Sequence, residues 1–256
     1  MKTALLGAMT AMAALALPLV ASVSAQDNGS SNSNQLSDPR SAFVDRGGRS
    51  WHADVEKTER GYLMGNPEAG TALIEFISYT CGHCANFSRE ADGAIDLALL
   101  APGHMSAEIR TVIRNAPDLT ISLLVACGDP KGFKNRHRAF FATQNQWLAK
   151  LTSAPQSQQQ MWARGDKASR ISLASAMDFD DLMATRGLTR TQITQCLSDD
   201  AAAQKLIDNS NADREQFTVT GTPSFALDGA LLKGVHNWES LYSVLSGQFV
   251  ASKGDN

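Results

Sequence analysis

The run Thr71-Ala-Leu-Ile-Glu-Phe-Ile-Ser78, followed three residues later by Cys81-Gly82-His83-Cys84, constrains this chain more than any other stretch. Its apolar residues fall on both faces of a two-residue repeat, Leu73 and Ile77 on one and Ala72, Ile74 and Phe76 on the other. A strand that is apolar on both faces belongs in the middle of a sheet covered by helices. Glu75 interrupts it, and a carboxylate in such a strand is costly unless paired or protonated. The two cysteines stand where the strand gives way to a helix. Thiols at this spacing can close a disulfide across one helical turn, so the pair reads as a redox device.

The rest of the composition sets bounds. The 256 residues are 43% apolar and 19% charged, as in ordinary globular proteins. A net charge of -3 leaves no basic footprint for nucleic acid. Lys2, the apolar stretch Ala4 to Val20 and the small residues Val23-Ser24-Ala25 form a signal peptide pattern, with cleavage expected after Ala25. A retained membrane anchor is the alternative reading of residues 1–25, and Pro18 with the small residues after it favours cleavage. Export places the chain in an oxidising compartment. No later stretch approaches the ~18 apolar residues of a membrane span. Residues 26–50 are rich in Ser, Asn, Asp, Gly and Arg, and are expected to be a disordered linker.

Along the chain, Trp51 to Val55 is expected to form a first short strand, and residues 61–70 lead through a turn into the strand 71–78. Cys81 to Leu100 carries a helical stripe of Phe87, Ala91, Ala94, Ile95, Ala98 and Leu99, with Gly93 as a candidate kink. Ala101-Pro-Gly103 ends it, and Glu108 to Ile113 is the next strand. The reading is then helical to Asp208: Leu119–Cys127, Lys131–Leu148, Gln156–Trp162, Ser172–Arg186, a helix capped by Thr189 with Gln192 three residues on, and Ala201–Phe217. Strand signal resumes over Thr218 to Leu227, turns at Asp228-Gly229 and returns over Ala230 to Lys233. Asn237 is placed to cap a last helix, Trp238 to Leu245, before a frayed tail at 251–256. The fold class is α/β. The order resembles a thioredoxin-like central sheet, residues 51–118 and 206–250, split by an inserted all-helical domain, residues 119–205.

Cys81 sits at a helix start, where unsatisfied N–H groups and the positive end of the dipole favour a thiolate. Such a thiol has a depressed pKa and is the nucleophile; Cys84, one turn in, is the buried resolving thiol. His83 is expected to tune the pair through its ring, with Gly82 as the other residue between the thiols. Zinc would need a second local ligand pair, which Cys127 and Cys196 are too far apart to supply. A c-type haem site would need His where Ala85 stands. A purely structural disulfide is a third alternative. Four cysteines allow three pairings, and the local pair leaves Cys127 with Cys196. Both fall in the helical block, either as a staple between helices or as a second redox centre. A bridge closing a loop of about 70 residues would contribute roughly 4 kcal/mol in the chain-entropy model. His52, His104, His137 and His236 make no ligand spacing. Lys134, Arg136 and Arg138 read as a solvated basic run, and Phe87, Phe133, Phe140 and Trp147 as core.

Further on lies Gly221-Thr222-Pro223-Ser224. Together the CxxC after a strand, Glu75 six residues before Cys81, the helical block and Thr222-Pro223 resemble the thioredoxin superfamily, and within it the DsbA-like periplasmic thiol:disulfide oxidoreductases. The resemblance runs from about Val55 to Leu245. It implies that the Thr222–Pro223 peptide is cis and lies against the CxxC, leaving a backbone edge on which a substrate peptide adds as a strand. Base rates alone would give cis in about 5% of X-Pro bonds. It implies that Glu75 is a buried acid relaying the proton of Cys84. It further implies an enzyme that introduces disulfides into unfolded exported proteins in the periplasm, reoxidised by a membrane quinone-linked partner of the DsbB type, with no metal or organic cofactor. Two departures from the oxidase pattern, Gly-His instead of Pro-His and Thr instead of Val before the proline, also occur in isomerases. A disulfide isomerase or reductase therefore stays open, as does, from another class, a non-catalytic chaperone or binding module. Residues 26–50 are too short and polar for the dimerisation domain of bacterial isomerases, so a monomer is expected.

Overall fold

The computed structural model describes residues 49–251. The signal segment, nearly all of the linker and the tail from residue 252 lie outside the described residues. The strands are β1 (Val55–Lys57), β2 (Tyr62–Gly65), β3 (Ala72–Ile77), β4 (Ser106–Thr111), β5 (Ser224–Leu227) and β6 (Ala230–Leu231). The helices are α1 (Gly82–Ile95), α2 (Ala116–Ala126), α3 (Phe133–Ala142), α4 (Gln144–Ser153), α5 (Gln156–Ala163), α6 (Lys167–Ala176), α7 (Phe179–Ala184), α8 (Arg190–Ser198), α9 (Asp200–Phe217) and α10 (Trp238–Ala251). Among the described residues no helix is long and apolar enough to cross a membrane.

The strands form one mixed sheet in the order β1-β2-β4-β3-β5-β6. β3 is central, parallel to β4 and antiparallel to β5. Its two apolar faces account for that place. Leu73 and Ile77 enter the main core with Cys84, Phe87 and Ala91 of α1, while Phe76 enters a second cluster with Val112, Phe217, Val219 and Ala226. The Phe76 and Phe217 rings lie 5.0 Å apart, fixing α9 to that second face. Each such buried side chain contributes roughly 1.5–3 kcal/mol. Helices α2 to α9 stand between β4 and β5 in the chain, with Phe140 and Trp147 both packed on Phe179 at 5.0 and 5.6 Å.

Several expected boundaries move. Trp51 to Asp54 is a turn, closed by the Asp54 amide on the Trp51 carbonyl, and β1 begins only at Val55. β2 is a strand that its four residues were too few to announce; it pairs with both β1 and β4. The first helix runs on from Ile95 as a π turn, Asp96–Leu100, while Gly93 sits in regular helix. The expected helix 131–148 breaks at Thr143, whose hydroxyl bonds back to the Ala139 carbonyl at 2.9 Å. The expected helix 172–186 breaks at Asp178, which adopts a left-handed φ of 58°. Pro223 stands before β5 rather than within it, as a proline that cannot donate to a ladder should. β6 stops at Leu231, and α10 continues to Ala251. The basic run is not a solvated face: Arg136 is 2% exposed, its Nε donating to the Val125 carbonyl and Nη2 to that of Asp129. The expected caps are present, with a full capping box at Thr189 and Gln192, and Asn237 Oδ1 accepting the Ser240 amide.

Candidate active site

Cys81 is the N-cap of α1, in extended backbone and with no capping side chain. The amides of the first turn are therefore free to face its sulfur. The Cys81 thiol is held down at about 4, most of all by a hydrogen bond from the Cys84 thiol, with help from the Thr222 side chain and the backbone amides of Cys84 and His83, against the opposing effect of burial. Cys84 is fully buried, and burial, followed by the hydrogen bond it gives to Cys81 and the charge there, pushes it well up. Both are free thiols. The pair is thus split into one low-pKa thiol at the helix start, itself buried, and one fully buried thiol whose pKa is raised.

Opposite lies Thr222-Pro223, whose peptide is cis. The Cys81 thiol donates to the Thr222 carbonyl at 3.1 Å. The Thr222 hydroxyl, buried, has no acceptor while Cys81 is a neutral thiol. Ionisation supplies one, which is how this hydroxyl lowers Cys81. His236 Nδ1 bonds the Pro223 carbonyl at 2.8 Å. The His83 ring is exposed, and what His83 gives the thiolate is its backbone amide. A Cβ on Gly82 would meet no atom within 4 Å, so packing does not demand glycine there.

The loop that delivers Cys81 is tied from beneath by residues sequence reasoning missed. Buried Asp118, in the first turn of α2, accepts from the Ser78 hydroxyl and from the amides of Thr80 and Arg114. Buried Gln144, at the start of α4, donates through Nε2 to the carbonyls of Tyr79 (2.7 Å) and Cys81 (2.9 Å). Neither belongs to a motif, and both lie tens of residues from the CxxC; only the three-dimensional arrangement brings them there.

Glu75 lies between Ile109 of β4 and Phe225 of β5, 6% exposed, on the strand face that packs under α1. Burial foremost, then the charge of Asp92, raises its carboxyl well above the usual range, which favours the protonated form. Cys127 and Cys196 are bonded to each other, joining the end of α2 to α8 with Cα atoms 5.9 Å apart.

A low-pKa thiol at a helix start, a buried thiol one turn in and a cis-proline loop against the first sulfur make an arrangement suited to thiol–disulfide exchange. The profile of the family described as Thioredoxin matches residues 57–246, and the chain belongs to that family. It is similar to a protein-disulfide isomerase from Novosphingobium aromaticivorans of known crystal structure, with 39% identity and a TM-score of 0.70, covering 73% of this chain and 95% of that one. The α-DsbA1 of Wolbachia pipientis shares the fold at 19% identity and a TM-score of 0.59, over 74% of this chain and 92% of that one. A Rickettsia typhi protein named "Putative protein-disulfide oxidoreductase" is 24% identical over 168 residues, 65% of this chain and 54% of its own length. The chain thus spans about half the length of the curated relatives it matches.

Proposed function

We propose that this chain is a thiol:disulfide oxidoreductase that introduces disulfides into exported proteins. The observation that carries the reading is the Cys81 sulfur at the helix start, bonded to the Thr222 carbonyl beside the cis Pro223, with its thiol lowered to about 4. A substrate thiolate attacks Cys81 Sγ of the 81–84 disulfide; that bond breaks and its electron pair leaves on Cys84, which takes a proton from Glu75. A second substrate thiolate then attacks the substrate sulfur of the mixed disulfide, and Cys81 departs as a thiolate. A low-pKa thiol is a good leaving group, and its stability makes the 81–84 disulfide oxidising. Thr222 and Pro223 present the backbone on which the substrate pairs. The reduction potential against glutathione tests the direction: about -180 mV or higher is expected, and a value near the roughly -270 mV of thioredoxin overturns the oxidase reading.

The likeness to a named isomerase favours a second reading, disulfide isomerisation by the same two thiols. Repair of a scrambled substrate at a rate matching its oxidation would favour it. Signal cleavage after Ala25, a periplasmic location, a monomer, and reoxidation by a DsbB-type membrane partner belong to the same proposal. The signal pattern of residues 1–25 supports export, and N-terminal sequencing of protein from the periplasmic fraction checks it.

A further inference from the structure

Between the sheet and helices α1 and α3 lies a cavity of about 30 Å³. Part of its wall is apolar, including Met64 and Leu73. The rest is ionisable: Glu75 from β3, Asp92 from α1, Asp96 from the π turn, and Lys134, His137 and Arg138 from α3. Asp96 is fully matched, with Lys134 at 2.6 Å and Arg138 and His52 each at 3.2 Å. Asp92 is not. Its close side-chain partner is the Ser88 hydroxyl at 2.5 Å, while Arg138 Nε and His137 Nε2 stand off at 3.8 and 3.9 Å, beyond hydrogen-bond reach.

His137 is buried, and its Nε2 has no hydrogen-bond partner. Its Nδ1 lies 3.0 Å from the Tyr79 hydroxyl. Burial keeps the tyrosine protonated and, by lowering the imidazole to about 3, keeps the histidine neutral. With Nε2 facing a carboxylate, the favourable tautomer accepts the tyrosine proton at Nδ1 and carries its own hydrogen on Nε2. An unpaired buried N–H costs roughly 1–3 kcal/mol. A water needs about 10–15 Å³ and two to four polar partners, and this cavity offers the space together with His137, Asp92 and Glu75.

We propose that a water occupies this cavity, bonded to His137 Nε2 and to the carboxyls of Asp92 and Glu75, and that Asp92 is the group through which Glu75 exchanges its proton with solvent. The proposal rests on the exchange reaction above. When Glu75 protonates the departing Cys84, it regains a proton through the water from Asp92, and Asp92 regains one from bulk solvent at the Arg138 edge; the reverse reaction runs the same path backwards. Asp92 is suited to this, since burial above all holds it up at about 6, close to neutrality. Asp92 and His137 are positioning residues acting through Glu75.

Asp92→Asn keeps the shape of the side chain and can still accept from Ser88. In the full chain it is expected to slow exchange about tenfold at pH 7 and to remove the inflection of the rate near pH 6, with the Cys81 titration still near 4. An unchanged rate profile overturns the proposal. The unaltered reduced protein supplies a test free of both folding and activity. Carbon-13 at the Glu75 carboxyl is expected to show an inflection near pH 6 as Asp92 titrates, and the His137 ring a cross-peak to a long-lived water; absence of either overturns the proposal. If the unaltered protein performs no thiol exchange, the functional reading fails, while these two measurements still decide the cavity.

Discussion

Thr222 meets Cys81 with both of its polar groups, and each matters to a different form of the sulfur. The carbonyl accepts from the thiol; the hydroxyl stabilises the thiolate. Hydrogen bonds to a charge are worth about 1.5–3 kcal/mol, and one pH unit is about 1.36 kcal/mol. Thr222→Val is therefore expected to raise the Cys81 titration by about one to two pH units, read from thiolate absorbance. The same depressed thiol ties stability to pH. A folded-state pKa below the unfolded value stabilises the reduced fold fully above the unfolded pKa, about 8.5, and that contribution is lost as pH falls through about 4. Thermal unfolding of the reduced and disulfide forms should show the margin of the reduced form narrowing from pH 8 to pH 4. At this scale Thr222-Pro223 was legible only through the resemblance, whereas the CxxC could be read from the sequence as two thiols at a fixed spacing and Glu75 as a carboxylate in an apolar strand. The part of His83 could not: a side chain between two cysteines suggests tuning by its ring, whereas the ring faces solvent and the backbone does the stabilising.

Helices and strands were legible where a period had room to repeat. β3 and α1 have six and fourteen residues and a strong pattern. β2 has four, too few for a two-residue repeat to stand out. Thr143 and Asp178 break what periodicity alone joins, because a back-bonding hydroxyl and a left-handed residue leave the apolar spacing untouched. The bridge between α2 and α8 is an element-scale staple, closing a sequence separation of 69. Cys196→Ser is expected to cost roughly 2–4 kcal/mol in urea unfolding and to leave the Cys81 titration where it is. A second redox centre would instead change the number of electrons taken up in a reductive titration.

Across the whole molecule, the helices inserted between β4 and β5 reach back to the reactive loop through Asp118 of α2, His137 of α3 and, furthest along the chain, the side-chain amide of Gln144 in α4. Gln144→Ala leaves the Tyr79 and Cys81 carbonyls without that donor. About 1–3 kcal/mol of stability should be lost, with a measurable shift in the Cys81 titration because the loop that sets its geometry loosens; an unshifted titration would limit Gln144 to packing. Such a link joins segments more than 60 residues apart, and nothing in local pattern announces it. The sheet carries a different whole-molecule consequence. Its outermost strands, β1 and β6, are three and two residues long. A long bare edge recruits any extended chain by backbone pairing. For a molecule whose proposed partners are unfolded polypeptides, edges this short leave little bare backbone on which a partner chain could nucleate an aggregate.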